Sequence, residues 1–257
     1  MPCALRLTIE PGADHTVPVW SSDGSRIAYA VELGKISRGI YQKYSNGAGR
    51  QELLLSSDSD TPIWPTSWSR DGRFILYSRE ARTAPQDSIE IRVLPLVGGH
   101  GPRRFIEAQP RAYDGQFSPN GRWVAYTSEE SGRGEVYVVP FEAGSVLNTE
   151  SGPASGREDR RWLVSANGGR SPRWRGDGKE IFYLSMANQM MAAEIEEKDK
   201  GMVVRTAQAL FNCTPALSAR QDAPYDVSPD GKKFVISSSG YYNAPLILLV
   251  NWTANLK

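Results

Sequence analysis

Cysteine and histidine are scarce in this 257-residue chain, with two of each. Cys3 and Cys213 are too few for a disulfide scaffold or a four-cysteine zinc site. They could bridge one another only if the chain ends meet, so the redox compartment stays open. Long apolar runs are missing as well. The longest aliphatic stretch, Leu246 to Val250, falls far short of the ~20 residues that span a bilayer. The N-terminal Met-Pro-Cys-Ala-Leu-Arg has no apolar signal core. Charge of one sign is also lacking: 30 Lys and Arg stand against 29 Asp and Glu, which argues against a nucleic-acid binder. Long apolar stripes at helical spacing are absent, which disfavours an α-solenoid. No membrane span, cofactor or metal is expected of this chain, and its localisation stays open between cytoplasm and periplasm.

Turn-formers and flat side chains are abundant instead. Gly occurs 24 times, Pro 17 times, Trp seven times and Tyr eleven times, a balance that points to an all-β chain. A repeat governs the whole length. Trp20-Ser21-Ser22-Asp23-Gly24-Ser25-Arg26-Ile27-Ala28-Tyr29 recurs at 68–77, 117–126 and 174–183, and in a more worn form at 227–236. The Asp or Asn of the copies falls at 23, 71, 120, 177 and 230, in steps of 48, 49, 57 and 53. Each copy reads as a hairpin: an aromatic ends one strand, Ser-x-Asp-Gly reverses the chain, and an apolar alternation opens the next. Gly accepts positive φ freely, and the Asp side chain can bond nearby backbone N–H groups.

Third strands are expected at 40–43, 89–94, 135–139, 190–195 and 246–252, and fourth strands at 52–55, 104–106, 161–164 and 209–211. Four antiparallel strands per repeat of about fifty residues make a β-propeller blade. The chain therefore reads as one β-propeller domain over 1–257 with five recognisable repeats. Its closure admits two readings. Residues 5–9 complete the last blade by pairing with 246–252, or the chain is an incomplete part of a larger propeller.

The Trp-Ser-x-Asp-Gly-x-x-Ile-Ala-Tyr pattern resembles the WD-like repeat of TolB-type propellers over essentially the whole chain. A further set is found together: Ile40-Tyr41-Gln42-Lys43 with Asn46-Gly47-Ala48-Gly49, the run 115–128, Pro172-Arg173-Trp174-Arg175, and Asn251-Trp252-Thr253-Ala254. This set resembles the C-terminal propeller region of Acidobacteria-type serine/threonine protein kinases of the eukaryotic-like class. That resemblance implies a sensor or scaffold role, with a kinase domain as a partner in the parent protein. The chain itself has no Gly-x-Gly-x-x-Gly loop, no His-Arg-Asp loop and no Asp-Phe-Gly, so it is not expected to transfer phosphate.

No catalytic residues are assigned. The Gly-x-Ser-x-Gly elbow of propeller-linked hydrolases does not occur. His15 and His100 sit among Gly and Pro and read as solvated loop histidines. The Asp-Gly turns lack the alternating oxygens of a calcium loop. Six arginines between Arg157 and Arg175, against Glu158 and Asp159, read as a solvated loop rather than an anion site.

One register position stands out. The residue before each hairpin aromatic is Val19, Ser67, Gln116, Arg173 and Asp226. If that strand is innermost, Ser67, Gln116, Arg173 and Asp226 are candidate channel or ligand contacts, because a dry core would not tolerate them unpartnered. Arg173 and Asp226, on adjacent blades, are expected within ~8 Å, the reach of one bridging water. The expected role is a non-catalytic interaction or sensor module of the kinase-tail kind, binding a protein or small molecule. The alternatives are a TolB-like periplasmic binding propeller and, third, a propeller-based enzyme.

Overall fold

The computed structural model describes residues 12–34, 36–58, 61–81, 88–106, 111–148, 160–198, 201–213, 215, 224–237 and, for the backbone alone, 247–250. These form five antiparallel sheets, one per repeat. The first holds β1 (Ala13–Trp20), β2 (Arg26–Leu33), β3 (Ile36–Tyr44) and β4 (Glu52–Ser56), hydrogen-bonded in chain order. The second repeats that order with β5 (Ile63–Trp68), β6 (Phe74–Ala81), β7 (Ser88–Pro95) and β8 (Arg103–Ile106). The third comprises β9 (Ala112–Phe117), β10 (Trp123–Ser128), β11 (Glu135–Pro140) and, after a short helix α1 (Ala143–Asn148), β12 (Trp162–Leu163). The fourth has β13 (Gly169–Trp174), β14 (Glu180–Ser185), β15 (Gln189–Lys198), β16 (Gly201–Val204) and β17 (Gln208–Asn212). The fifth has β18 (Tyr225–Val227), β19 (Lys233–Ile236) and β20 (Ile247–Val250). Antiparallel sheets of about four strands, repeated along the chain, are the blades of a β-propeller.

The expected turn chemistry recurs in four of the five copies. Ser21 donates its hydroxyl to Asp23 Oδ1 at 2.6 Å, Ser25 N donates to the same oxygen, and Arg26 N donates to Ser21 Oγ. Ser69–Asp71, Ser118–Asn120 and Ser228–Asp230 repeat the side-chain bond at 2.6–2.7 Å. The fourth copy has Arg175 in place of serine, and its guanidinium grips Asp177 through Nε and Nη2. The glycine after the acid lies at φ +70 to +75° in all five copies.

Period-2 alternation then sorts side chains onto the two faces of each sheet. In β14, Ile181 and Tyr183 face one side and join Trp123, Ala125, Val136 and Val138 of the third sheet. Phe182 and Leu184 face the other and join Tyr225, Phe234 and Ile236 of the fifth. Ala28 and Ile40 likewise meet Ile63, Ile75, Tyr77 and Leu94 across the first two sheets. Neither face of a sheet is shielded by its own strands, so each sheet depends on its neighbours for burial. The contacts divide the chain into two compact units. One holds the first two sheets with α1, and the other holds the last three.

Three features differ from expectation. His15, read as a loop residue, lies in β1 opposite Val31 with its ring 5.5 Å from that of Tyr29. The Pro and Gly around it misled because β1 carries a bulge between Thr16 and Val19, and a bulge tolerates Pro18. The helix α1 and the strand β16 were also not foreseen. The proposed pairing of residues 5–9 with 246–252 and a Cys3–Cys213 bridge both lie outside the described residues.

Candidate functional site

The first strands of the third and fourth sheets share a backbone irregularity. Asp114 and Ser171, each three residues before the hairpin aromatic, lie at φ +56° and +57°. Val17 holds the same position in β1, at φ +50°. Left-handed non-glycine residues are uncommon and need tertiary support. Here it comes from buried hydrogen bonds. Ser171 N donates to Thr127 Oγ1 at 3.1 Å, and Ser171 Oγ donates to Asp114 Oδ2 at 3.0 Å. The Tyr225 hydroxyl donates to the Ser171 carbonyl at 2.8 Å. A polar chain thus links β9, β13 and β18. Burial pushes the Tyr225 hydroxyl far above its ordinary pKa, with Arg173 opposing and Asp226 and Asp114 adding, so it remains a donor.

Arg173 and Asp226 emerge next to this chain. Their nearest charged atoms, Arg173 Nε and Asp226 Oδ1, are 3.9 Å apart. The Arg173 side chain is 19% exposed and that of Asp226 81%. Arg173 Nη1 donates to the Pro172 carbonyl at 2.9 Å, and the guanidinium carbon lies 6.0 Å from the Tyr225 ring centre. A distance of 3.9 Å is ion pairing without a formed hydrogen bond. Most of the five guanidinium N–H groups therefore remain available to a further acceptor. Gln116 lies in the same unit, and its carbonyl accepts from Trp174 Nε1 at 3.2 Å. Ser67 is buried in β5 opposite Leu76, within the other unit.

The buried Asp114, Ser171 and Tyr225 were missed in the sequence. The one available signal was a polar residue three places before an aromatic, and the copies differ too much there for it to register. The arginine-rich stretch is mostly paired: Arg161 with Glu130, Arg160 with Glu142, and Arg175 with Asp177 and Glu180. Arg157, Glu158 and Asp159 lie outside the described residues. His100 lies in the β7–β8 connection, as expected.

No protein-family model matches the chain, and no curated protein does either. Comparison with solved structures defines the class of fold, that of TolB-type β-propellers. TolB from Acinetobacter baumannii aligns with a TM-score of 0.63 at 20% identity, over 93% of this chain and 52% of that one. A putative TolB from Agrobacterium tumefaciens aligns at 0.53 and 20% identity, over 75% and 63%. An oligogalacturonate lyase in complex with manganese aligns at 0.58 and 12% identity, over 96% and 65%. The chain thus spans about half the length of the first of these. At such identities the likeness concerns the fold.

Proposed function

We propose that this chain is a TolB-like binding propeller, with residues 1–257 acting as one domain. Its ligand contacts centre on Arg173 and Asp226. The observation that carries the reading is the Arg173 guanidinium: four-fifths buried on a stiff strand, yet with most of its donors uncommitted. Beside it, the exposed Asp226 carboxylate supplies an acceptor. A pre-positioned donor and acceptor on a rigid frame suit a polar segment of a partner protein or a small molecule bearing a carboxylate. Gln116, in the same unit, is a further contact in this reading.

The TolB-like reading is preferred over the kinase-tail reading. The kinase resemblance rests on local sequence alone, and none of the three similar structures named above is a kinase. The likeness of fold to a lyase keeps propeller enzymes in view.

The test displays a random heptapeptide library to the immobilised chain. Enrichment of carboxylate-bearing peptides is expected, falling about tenfold or more in Arg173→Ala, the scale of a lost charged hydrogen bond. No enrichment, or enrichment that ignores Arg173, would refute this site. Formation of an ultraviolet-absorbing unsaturated product from oligogalacturonate would refute the non-catalytic part of the reading.

A further inference from the structure

The fourth blade departs from its siblings. Its strand β15 is ten residues long and pairs along one edge with two strands, β17 through residues 189–192 and β16 through 195–198. The β15–β16 hairpin reaches the third sheet, where Glu197 accepts from Asn120 Nδ2 at 2.6 Å and from Arg122 Nη1 at 2.8 Å. Between this strap and the segment that follows β12 opens a cleft of about 560 Å³. Small-molecule sites have volumes of roughly 300–1,000 Å³. Leu163, Met186, Met191 and Val204 supply its apolar wall, and Tyr183 and Arg205 also line it.

Tyr183 is the fourth copy of the tyrosine that ends each repeat motif. In the first copy the Tyr29 hydroxyl donates to Gln51 Oε1 at 3.1 Å. In the second, the positive charge of Arg92 acts on the Tyr77 hydroxyl. Tyr183 is 3% exposed, yet its hydroxyl has no hydrogen-bond partner among the described residues. Burial, with a smaller contribution from Glu135, pushes its pKa up to about 12, so it stays protonated and can donate. Tyr183 lines the cleft, so its uncommitted hydroxyl is open to a molecule bound there.

We propose that this cleft is a binding site for a small uncharged molecule with an apolar body and a hydrogen-bond acceptor oxygen, which takes the Tyr183 hydroxyl. Two charges select against an anion. The Glu135 carboxylate acts on Tyr183, and the Arg205 cation is already met by Glu194 at 3.4 Å and Glu196 at 3.5 Å. None of the cleft residues belongs to the Arg173–Asp226 pair, so the two proposals stand or fall separately.

The experiment titrates the full chain with acetophenone, ethylbenzene and benzoate and follows each by saturation-transfer NMR. Acetophenone should bind about fivefold more tightly than ethylbenzene, the scale of one hydrogen bond, with benzoate weakest. Tyr183→Phe should erase the advantage of acetophenone and leave ethylbenzene unchanged, with the melting temperature retained. Thr206→Trp, at an exposed position on the rim, should weaken both neutral probes. Equal binding of acetophenone and ethylbenzene, no binding of any probe, or a Tyr183→Phe variant with unchanged preference would overturn the proposal. If Tyr183→Phe fails to fold, unweakened binding by Thr206→Trp overturns it instead.

Discussion

Gly72 and Gly39 both lie at positive φ, for different physical reasons. Gly72, at +74°, ends a Ser-x-Asp-Gly turn, and a Cβ there would meet nothing within 4 Å. Gly72→Ala should therefore cost only the left-handed backbone, about 1–2 kcal/mol. Gly39, at +133°, faces the fourth strand, where a Cβ would fall 2.1 Å from the Leu55 carbonyl oxygen. Gly39→Ala must push β3 from β4 and should cost more than about 3 kcal/mol, beyond the usual range for point changes. Urea unfolding of the two variants measures the difference, and equal midpoints would contradict it. The sequence motif makes Gly72 conspicuous. Gly39 sits one residue before the strand expected at 40–43, with no motif around it, because its demand comes from a neighbouring strand rather than from its own turn.

Among the elements, one motif residue meets different surroundings. Trp68, ending β5, packs on the core shared by the first two sheets. Trp174, ending β13, packs on the core of the third and fourth and reaches the Gln116 carbonyl. Trp20, ending β1, is 57% exposed. Trp68→Ala should lose about 2–4 kcal/mol, in the range of large core truncations, whereas Trp20→Ala should cost under about 1 kcal/mol. Thermal melts of the two variants read this directly, and a Trp20→Ala loss as large as that of Trp68→Ala would refute it. The hairpin strands were legible because their signals lie within ten residues of one another. The second partner of β15 was not, since β16 is a four-residue strand stabilised by pairing and by contacts with the third sheet.

At the scale of the whole molecule, several carboxyls bias stability with pH. Asp23 is lowered to about 2, chiefly by the Ser21 hydroxyl and the Ser25 amide. Asp177 is lowered chiefly by Arg175, Asp230 by the Ser228 hydroxyl, and Glu130 by Arg161. Glu180 is raised, because desolvation outweighs its arginine partner. A carboxyl with a depressed folded pKa contributes stability above its ordinary pKa of about 4 and loses it as pH falls through the folded value. Glu180 works in the opposite sense, one group against four. The melting temperature should therefore fall between pH 5 and pH 2, modestly, since these groups are largely solvent-exposed. A melting temperature that rises over that interval would reverse the sign of the argument.

Repetition along the chain was enough to establish the all-β class, the blade and the five hairpins, because each is written in contiguous residues with their own turn chemistry. The pairing of Arg173 with Asp226 could also be anticipated, since both occupy one register position in adjacent copies. Tertiary packing alone decided the rest: the buried link from Asp114 through Ser171 to Tyr225, the cleft beneath β16, and the Tyr183 side chain that lines it. Those features depend on which side chains from separate blades come within a few ångströms of one another. Residues more than fifty positions apart leave no local trace of such an encounter.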